Sequence, residues 1–198
     1  MKKIVLASSN PGKLRELGEL LAPLEITLTP QSDFGIQDVE ETGKTFIENA
    51  ILKARHAAAA SGLPAIADDS GLVVDYLGGA PGIYSARYAG EGASDQKNLE
   101  RLLDALAEVP ESKRGAQFKC LMVYLRHADD PTPLIADGAW DGHILFAPRG
   151  DNGFGYDPIF HVPTHNCSSA ELPSPVKNAL SHRGQAVHKL IALLSQNP

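Results

Sequence analysis

The twelve residues from Pro64 to Asp75 constrain this chain more than any other stretch. An apolar run, Pro64-Ala65-Ile66-Ala67, meets two adjacent carboxylates, Asp68 and Asp69, then Ser70-Gly71 and a second apolar run, Leu72-Val73-Val74. Acids at the end of a buried strand are costly to desolvate unless a cation or backbone N–H groups meet them. Successive strand side chains point to opposite faces, so one acid can face a cleft while its neighbour braces the loop. Asp69-Ser70-Gly71 also has the composition of a tight turn between two strands. By itself the stretch leaves turn and active site equally open.

The chain has 198 residues, enough for one domain or one domain with two lobes. With 43% apolar and 21% charged residues it can bury a sizeable core. The formal net charge of −6 argues against broad binding to nucleic acid or anionic membrane. No apolar run approaches the length of a membrane-spanning helix. The N-terminal apolar segment Ile4–Ala7 is too short for a signal peptide and reads as a strand. Cys120 and Cys167 lack metal-site spacing, and the expectation is a reduced cytoplasmic protein without a disulfide.

After the first strand, Lys2–Ala7, comes Ser8-Ser9-Asn10-Pro11-Gly12-Lys13. Asn10 suits an N-cap and Pro11 the first helical position. Leu14, Leu17, Leu20, Leu21 and Leu24 then mark one helical face. Lys13 opposes the positive end of that helix, a conflict that a bound anion would remove. The loop reads equally as a plain capped helix with a solvent lysine. A second strand is expected over Glu25–Thr29, followed by an acidic loop to residue 43. A helix is expected over Thr45–Ala60, stopped at Gly62, with Phe46, Ala50, Ile51, Ala54 and Ala57 inward. Thr45, Asn49 and Lys53 line up on it as a polar stripe, which reads either as a plain exposed face or, with Asn49 among alanines, as one that meets a specific partner.

The glycine-rich connection over 77–90 is long enough to be functional. Ser94 is expected to cap a helix burying Leu99, Leu102, Leu103 and Leu106. Phe118–Leu125 reads as a central strand. Leu134–Trp140 reads as the next, with a turn over Gly138–Gly142 into His143–Phe146, an antiparallel meander. In Gly150–Phe160, Phe154 between two glycines is shaped either for a flat ligand or for packing under its own turn. Residues 163–176 read as irregular, and His182-Arg183 opens the last helix, a pair that is either plainly solvated or offers a fork of donors for a carbonyl or phosphate.

Together, Lys13, Lys53 and Lys177 with Glu41, Asp68, Asp69, Phe154, His182 and Arg183 suit a nucleoside triphosphate with Mg²⁺. No nucleophile has a triad partner and no zinc motif is present, so attack by water at phosphorus is favoured.

Six motifs in order resemble one family, and the resemblance runs from about residue 3 to 194. They are Ser8–Lys13, Glu41–Ala50, Ala67–Leu72, Pro81–Tyr88, Phe154–Pro158 and Ser181–Gly184. The chain is similar to the inosine/xanthosine triphosphate pyrophosphatases, above all the bacterial ones, house-cleaning enzymes that remove non-canonical purine nucleotides such as ITP, dITP and XTP. The resemblance implies an α/β fold: a long twisted mixed β-sheet flanked by helices, in two lobes with an active-site cleft between them. The whole chain, residues 1–198, would then be one two-lobed domain. It implies Mg²⁺-dependent release of pyrophosphate and a nucleoside monophosphate, a cytoplasmic homodimer, and no nucleic-acid or membrane partner.

By motif, Asp69 matches the general base and a metal position. Glu41 matches the second metal-binding acid, with Glu40 as a one-residue alternative. Lys53 and Asp68 match active-site positions. Ser8, Ser9, Asn10, Pro11, Gly12 and Lys13 match the triphosphate loop, and Ser70, Phe154, Gly155, Tyr156, Asp157, Lys177, His182 and Arg183 match nucleotide-binding positions. Ser8 stands where members often carry threonine. Leu172–Val176 lacks an acidic residue commonly found before Lys177.

Three other readings stay open on the sequence. They are a pyrophosphatase for modified pyrimidine triphosphates, a phosphatase using an aspartyl-phosphate (without the usual DxD spacing), and a nucleotide sensor that binds without turnover.

Overall fold

The computed structural model describes residues 2–22 and 26–196. Met1, Leu24 and Glu25 therefore lie outside the described residues, as do 197–198. Seven strands form one sheet in the order β2-β1-β3-β4-β5-β6-β7. They are β1 (Lys2–Leu6), β2 (Ile26–Pro30), β3 (Ala65–Val74), β4 (Gly115–Leu125), β5 (Leu134–Ile144), β6 (Phe160–Val162) and β7 (Cys167–Ser168). β1 runs parallel to β2 and to β3, whereas β6 is antiparallel to β5 and β7, so the sheet is mixed. The helices are α1 (Pro11–Leu21), α2 (Phe46–Ser61), α3 (Asp95–Ala105), α4 (Ser174–Leu180) and α5 (His182–Gln196). None of the described helices is long and apolar enough to cross a membrane.

The chain divides into two compact units. The first comprises the residues up to Asp69, Cys120–Gly138, and those from Arg183 onward. Its two apolar clusters follow from strand alternation. Ile4, Leu6 and Ile66 pack with Leu17 and Leu21 of α1 and with Ala186, Val187 and Leu190 of α5. Val5, Ala7, Ala65 and Ala67 pack instead with Ala50, Ala54, Ala57 and Ala58 of α2. The same alternation, carried two residues further, sends Asp68 to the α1/α5 side and Asp69 to the α2 side.

The second unit is Ser70–Lys119 with Ala139–His182. Leu72 and Val74, Leu99 and Leu102 of α3, Phe118, Trp140 and Phe160 form its core. The ring of Phe118 lies 4.5 Å from that of Phe160. Arg114 is buried and meets no carboxylate among the described residues. It donates to the carbonyls of Leu106, Val109, Ile144 and Leu145, tying the end of α3 to the end of β5.

Three expectations change. The strand–turn–strand option for Asp69-Ser70-Gly71 is not taken: β3 is one continuous strand of ten residues, and both acids sit inside it. The turn expected over Gly138–Gly142 is likewise absent, because β5 runs unbroken from Leu134 to Ile144. Gly142 is there for close approach: a Cβ on it would collide with the His161 carbonyl and the Phe160 ring across the strand pair. Gly142→Ala should therefore cost about 1–3 kcal/mol by overpacking, read as a lowered urea midpoint. Finally, the stretch read as irregular holds β7 and the start of α4, whose short lengths carry no periodic signal.

Candidate active site

The residues of the first unit form one charged network. In α1 the Asn10 side chain caps the helix, accepting from the Lys13 amide at 3.0 Å, and Pro11 occupies the first turn. Ser8 Oγ accepts from the Asn10 amide, and Ser9 Oγ donates to Asp38. Gly12 lies in the first turn of α1. The misplaced charge of Lys13 meets a carboxylate of the chain itself. Lys13 Nζ donates to Asp68 Oδ1 at 3.0 Å and to the Asp68 carbonyl at 3.2 Å.

Lys53 approaches the same carbonyl from α2, at 3.0 Å. It also donates to Asp69 Oδ1 at 2.6 Å and to Glu41 Oε1 at 3.0 Å. Two ammonium groups thus converge on one peptide oxygen, between two carboxylates that alternation sends to opposite faces. Glu40 is exposed, and of the two candidate acids Glu41 is the one brought to Lys53.

The loop bearing Glu41 is fastened by the polar stripe of α2. Thr45 caps the helix, and Glu48 turns back onto the Lys44 amide and the Thr45 hydroxyl. Asn49 is fully buried and its Oδ1 accepts from the Gly43 amide at 2.8 Å, a specific partner rather than an exposed face. A Cβ on Gly43 would stand 2.6 Å from that oxygen, so only glycine lets the loop lie on the helix.

The solvated reading of Arg183 is not taken. It is buried, with Nε on Asp68 Oδ2 at 2.6 Å and Nη1 on Glu16. The donor fork expected to face a carbonyl or phosphate faces carboxylates here. Burial alone would raise the Asp68 carboxyl, but Arg183 and Lys13 outweigh it and hold Asp68 well below the carboxylate range. Asp69 goes the other way. Burial and the nearby Glu41 charge raise it, and outweigh the opposite pull of Lys53 and Lys13. Lys53, facing two carboxylates, keeps its proton more tightly than an ordinary lysine despite its burial.

Within the second unit, Phe154, Asp157 and Lys177 come together. Asp157 Oδ2 accepts from Lys177 Nζ at 2.6 Å and from the Phe154 amide at 2.8 Å, and its Oδ1 accepts from Ser169. Lys177 Nζ lies over the Phe154 ring, 5.3 Å from its centroid. Gly155 and Tyr156 continue the turn, and the Tyr156 hydroxyl donates to the Ser85 carbonyl. Ser70 is half-buried on β3. His182 is buried and stacks on Phe118, ring centroids 4.8 Å apart at 10°.

Sequence reasoning missed Glu16, Phe118 and Ser169. Glu16 had a signal, since it follows Lys13 by three residues on one helix face. Phe118 and Ser169 reach their partners only through tertiary structure.

Asp69 Oδ2 is buried and has no hydrogen-bond partner among the described residues. With Glu41 on the same lysine, it makes a pair of hard oxygen donors. No group of three or more His, Cys, Asp or Glu able to hold a metal occurs among the described residues. An open pair of this kind fits Mg²⁺, which takes one or two carboxylates and completes its shell with phosphate oxygens and water.

A mixed open sheet with this sequence is the architecture of Ham1 proteins. A HAM1 protein from Coxiella burnetii matches with a TM-score of 0.91 and 52% identity, over 99% of this chain and 100% of that one. The Ham1 family model matches residues 4–193, and the chain belongs to the Ham1 family. Among its curated relatives, a dITP/XTP pyrophosphatase of Yersinia pseudotuberculosis is 63% identical over 194 residues, 98% of each chain. One of Photorhabdus laumondii is 60% identical over 194 residues, again 98% of each.

Proposed function

We propose that this chain is a nucleoside triphosphate pyrophosphatase that hydrolyses ITP, dITP and XTP to the monophosphate and pyrophosphate, cleansing the nucleotide pool. The observation that carries this reading is the convergence of Lys13 and Lys53 on the Asp68 carbonyl beside an unpaired Asp69 oxygen. The names of relatives at 60–63% identity over nearly the whole chain agree with it. The whole chain acts as one catalytic domain, as a cytoplasmic homodimer.

Asp69 accepts the proton of the attacking water, and its raised carboxyl makes it a better base than an ordinary aspartate. Lys13 and Lys53 face the charge that develops on the departing pyrophosphate. Ser8, Ser9, Asn10 and Gly12 present hydroxyl and amide groups to the triphosphate, and Pro11 sets the first turn of the helix beneath them. Glu41 and Asp69 hold Mg²⁺, which when bound neutralises phosphate oxygens. Asp68 keeps Lys13 and Arg183 in place. Water is the nucleophile, with Asp69 as its base.

Ser70, Phe154, Gly155, Tyr156, Asp157, Lys177 and His182 serve the nucleoside, with the Phe154 ring as the stacking surface for the base. Arg183 serves it by anchoring the first turn of α5, on which His182 sits. Hypoxanthine and xanthine carry a 6-keto oxygen where adenine carries an amino group. A donor aimed there rewards the former and is left unpaired by the latter, at a cost of about 1–3 kcal/mol per contact.

The test is hydrolysis of ITP, XTP, GTP and ATP with Mg²⁺, scoring pyrophosphate separately from orthophosphate. Pyrophosphate from ITP and XTP, with little from GTP or ATP, is the expected result. Orthophosphate would place attack at the terminal phosphorus and overturn the mechanism. Binding without release of either would make the protein a sensor.

A further inference from the structure

The aromatic turn at Phe154 is held by two carboxylates on consecutive backbone amides. Asp157 accepts from the Phe154 amide, and Asp95 accepts from the Gly155 amide through Oδ2 at 2.8 Å. The two grips differ in kind. Asp157 is buried, lies three residues along the same turn, and is tied to Ser169 and Lys177. Asp95 is exposed, opens α3, and lies 60 residues away in sequence. A contact inside a turn fixes its shape. The turn's direction is set by ties to other elements: Asp157 links it to Ser169 and to Lys177 of α4, and Asp95 adds the link to α3.

The turn is also tied at its flanks, where the Asn152 amide donates to the Ala170 carbonyl and the Arg149 amide to the Pro158 carbonyl. Gly153 and Gly155 both have positive φ, at 77° and 62°, so its backbone is drawn from the residues that lose most freedom on ordering. A Cβ at Gly153 would run into Asp157 and approach Lys177 Nζ at 3.1 Å, which fixes glycine there for packing as well. A further tie, one residue past the Gly155 amide, is the Tyr156 hydroxyl, which donates to the Ser85 carbonyl.

We propose that Asp95 is a positioning residue for purine binding: by holding the Gly155 amide it sets the Phe154 ring where a base stacks. The inference rests on the reading of Phe154 given under the proposed function. Asp95 itself touches no substrate. It also places a negative charge at the positive end of α3, and that purely structural role must be separated from the clasp. Asn at this position keeps an acceptor oxygen and loses the charge, whereas Ala loses both.

The experiment compares Asp95→Ala and Asp95→Asn with the natural protein. Steady-state kinetics on ITP are read beside hydrogen exchange of the Phe154 and Gly155 amides by NMR. In Asp95→Ala the KM for ITP rises about tenfold, the worth of one charge-assisted hydrogen bond, while kcat stays within about twofold. The Gly155 amide exchanges about tenfold faster and the Phe154 amide, still on Asp157, does not. Asp95→Asn stays within about threefold of the natural KM, although both variants lose the same helix-end charge and melt alike. An unchanged KM in Asp95→Ala overturns the proposal. So does an Asn variant as impaired as the Ala variant, which would assign the effect to charge at the helix start. Unchanged Gly155 exchange overturns the clasp itself. If the natural protein releases no pyrophosphate from any purine triphosphate, the proposed function falls and the purine role of Asp95 falls with it. The exchange rates still decide whether Asp95 holds the turn.

Discussion

Asp69→Asn should abolish most pyrophosphate release, by about 10²–10⁴-fold, with the protein still folded. The amide keeps the shape of the carboxylate but cannot take a proton from water, and it is a poor ligand for Mg²⁺. The fold survives because the amide still offers Lys53 an acceptor oxygen. Burial and the Glu41 charge already disfavour the ionised form of Asp69, and Lys53 keeps Glu41 and the Asp68 carbonyl when Asp69 is neutralised. The check is turnover of ITP beside a thermal melt. Near-natural turnover in a folded variant would remove Asp69 from the chemistry.

Asp68→Asn, one residue earlier, should do the reverse and unfold the protein more readily, by about 3–5 kcal/mol. Asp68 is 1% exposed and carries Lys13 on one oxygen and Arg183 on the other. Neutralising it leaves two cations in the interior with half their partners gone. The pH dependence follows with its sign. The folded carboxyl lies below its ordinary value of 3.8, which stands for the unfolded chain. In the window below about pH 3.8 the unfolded chain binds the proton more readily, so folding loses stability as the pH falls through it. Above that window the full contribution is present. Urea titrations from pH 7 down to pH 3 should show a steep acid limb in the natural protein and a flatter one in Asp68→Asn. Parallel limbs would mean that another carboxylate carries the acid sensitivity.

The contrast between these neighbours shows where sequence reasoning reaches. That two acids sat together on an apolar strand was legible, and so was the need for cations near them. Alternation along β3 even dictated that they part company. Local signals served wherever one side chain answers a nearby backbone group, as at Asn10, Thr45 and Ser94. The glycines misled: Gly71 and Gly142 read as turns, yet each lies within a strand, Gly142 because a neighbouring strand comes too close for a side chain. Arg183 misled for a related reason. A basic residue opening a helix looks solvated in one dimension, and its two carboxylates come from residues 16 and 68. Nothing near residue 183 announces them.

The pairing of Arg183 with Asp68 spans 115 residues and completes a unit assembled from three separate stretches of chain. On the ribosome this imposes a wait. At about 5–20 residues per second, roughly 6–23 s separate synthesis of the acid from synthesis of the guanidinium that neutralises it. Throughout that interval Asp68 has Lys13 alone, and the faces of Ile4, Leu6 and Ile66 lack the α5 residues that cover them. The first unit cannot close during translation. A nascent chain stalled before α5 should expose its apolar surface to chaperones and proteases, and truncation at the C-terminus should be read as misfolding rather than as loss of a dispensable tail.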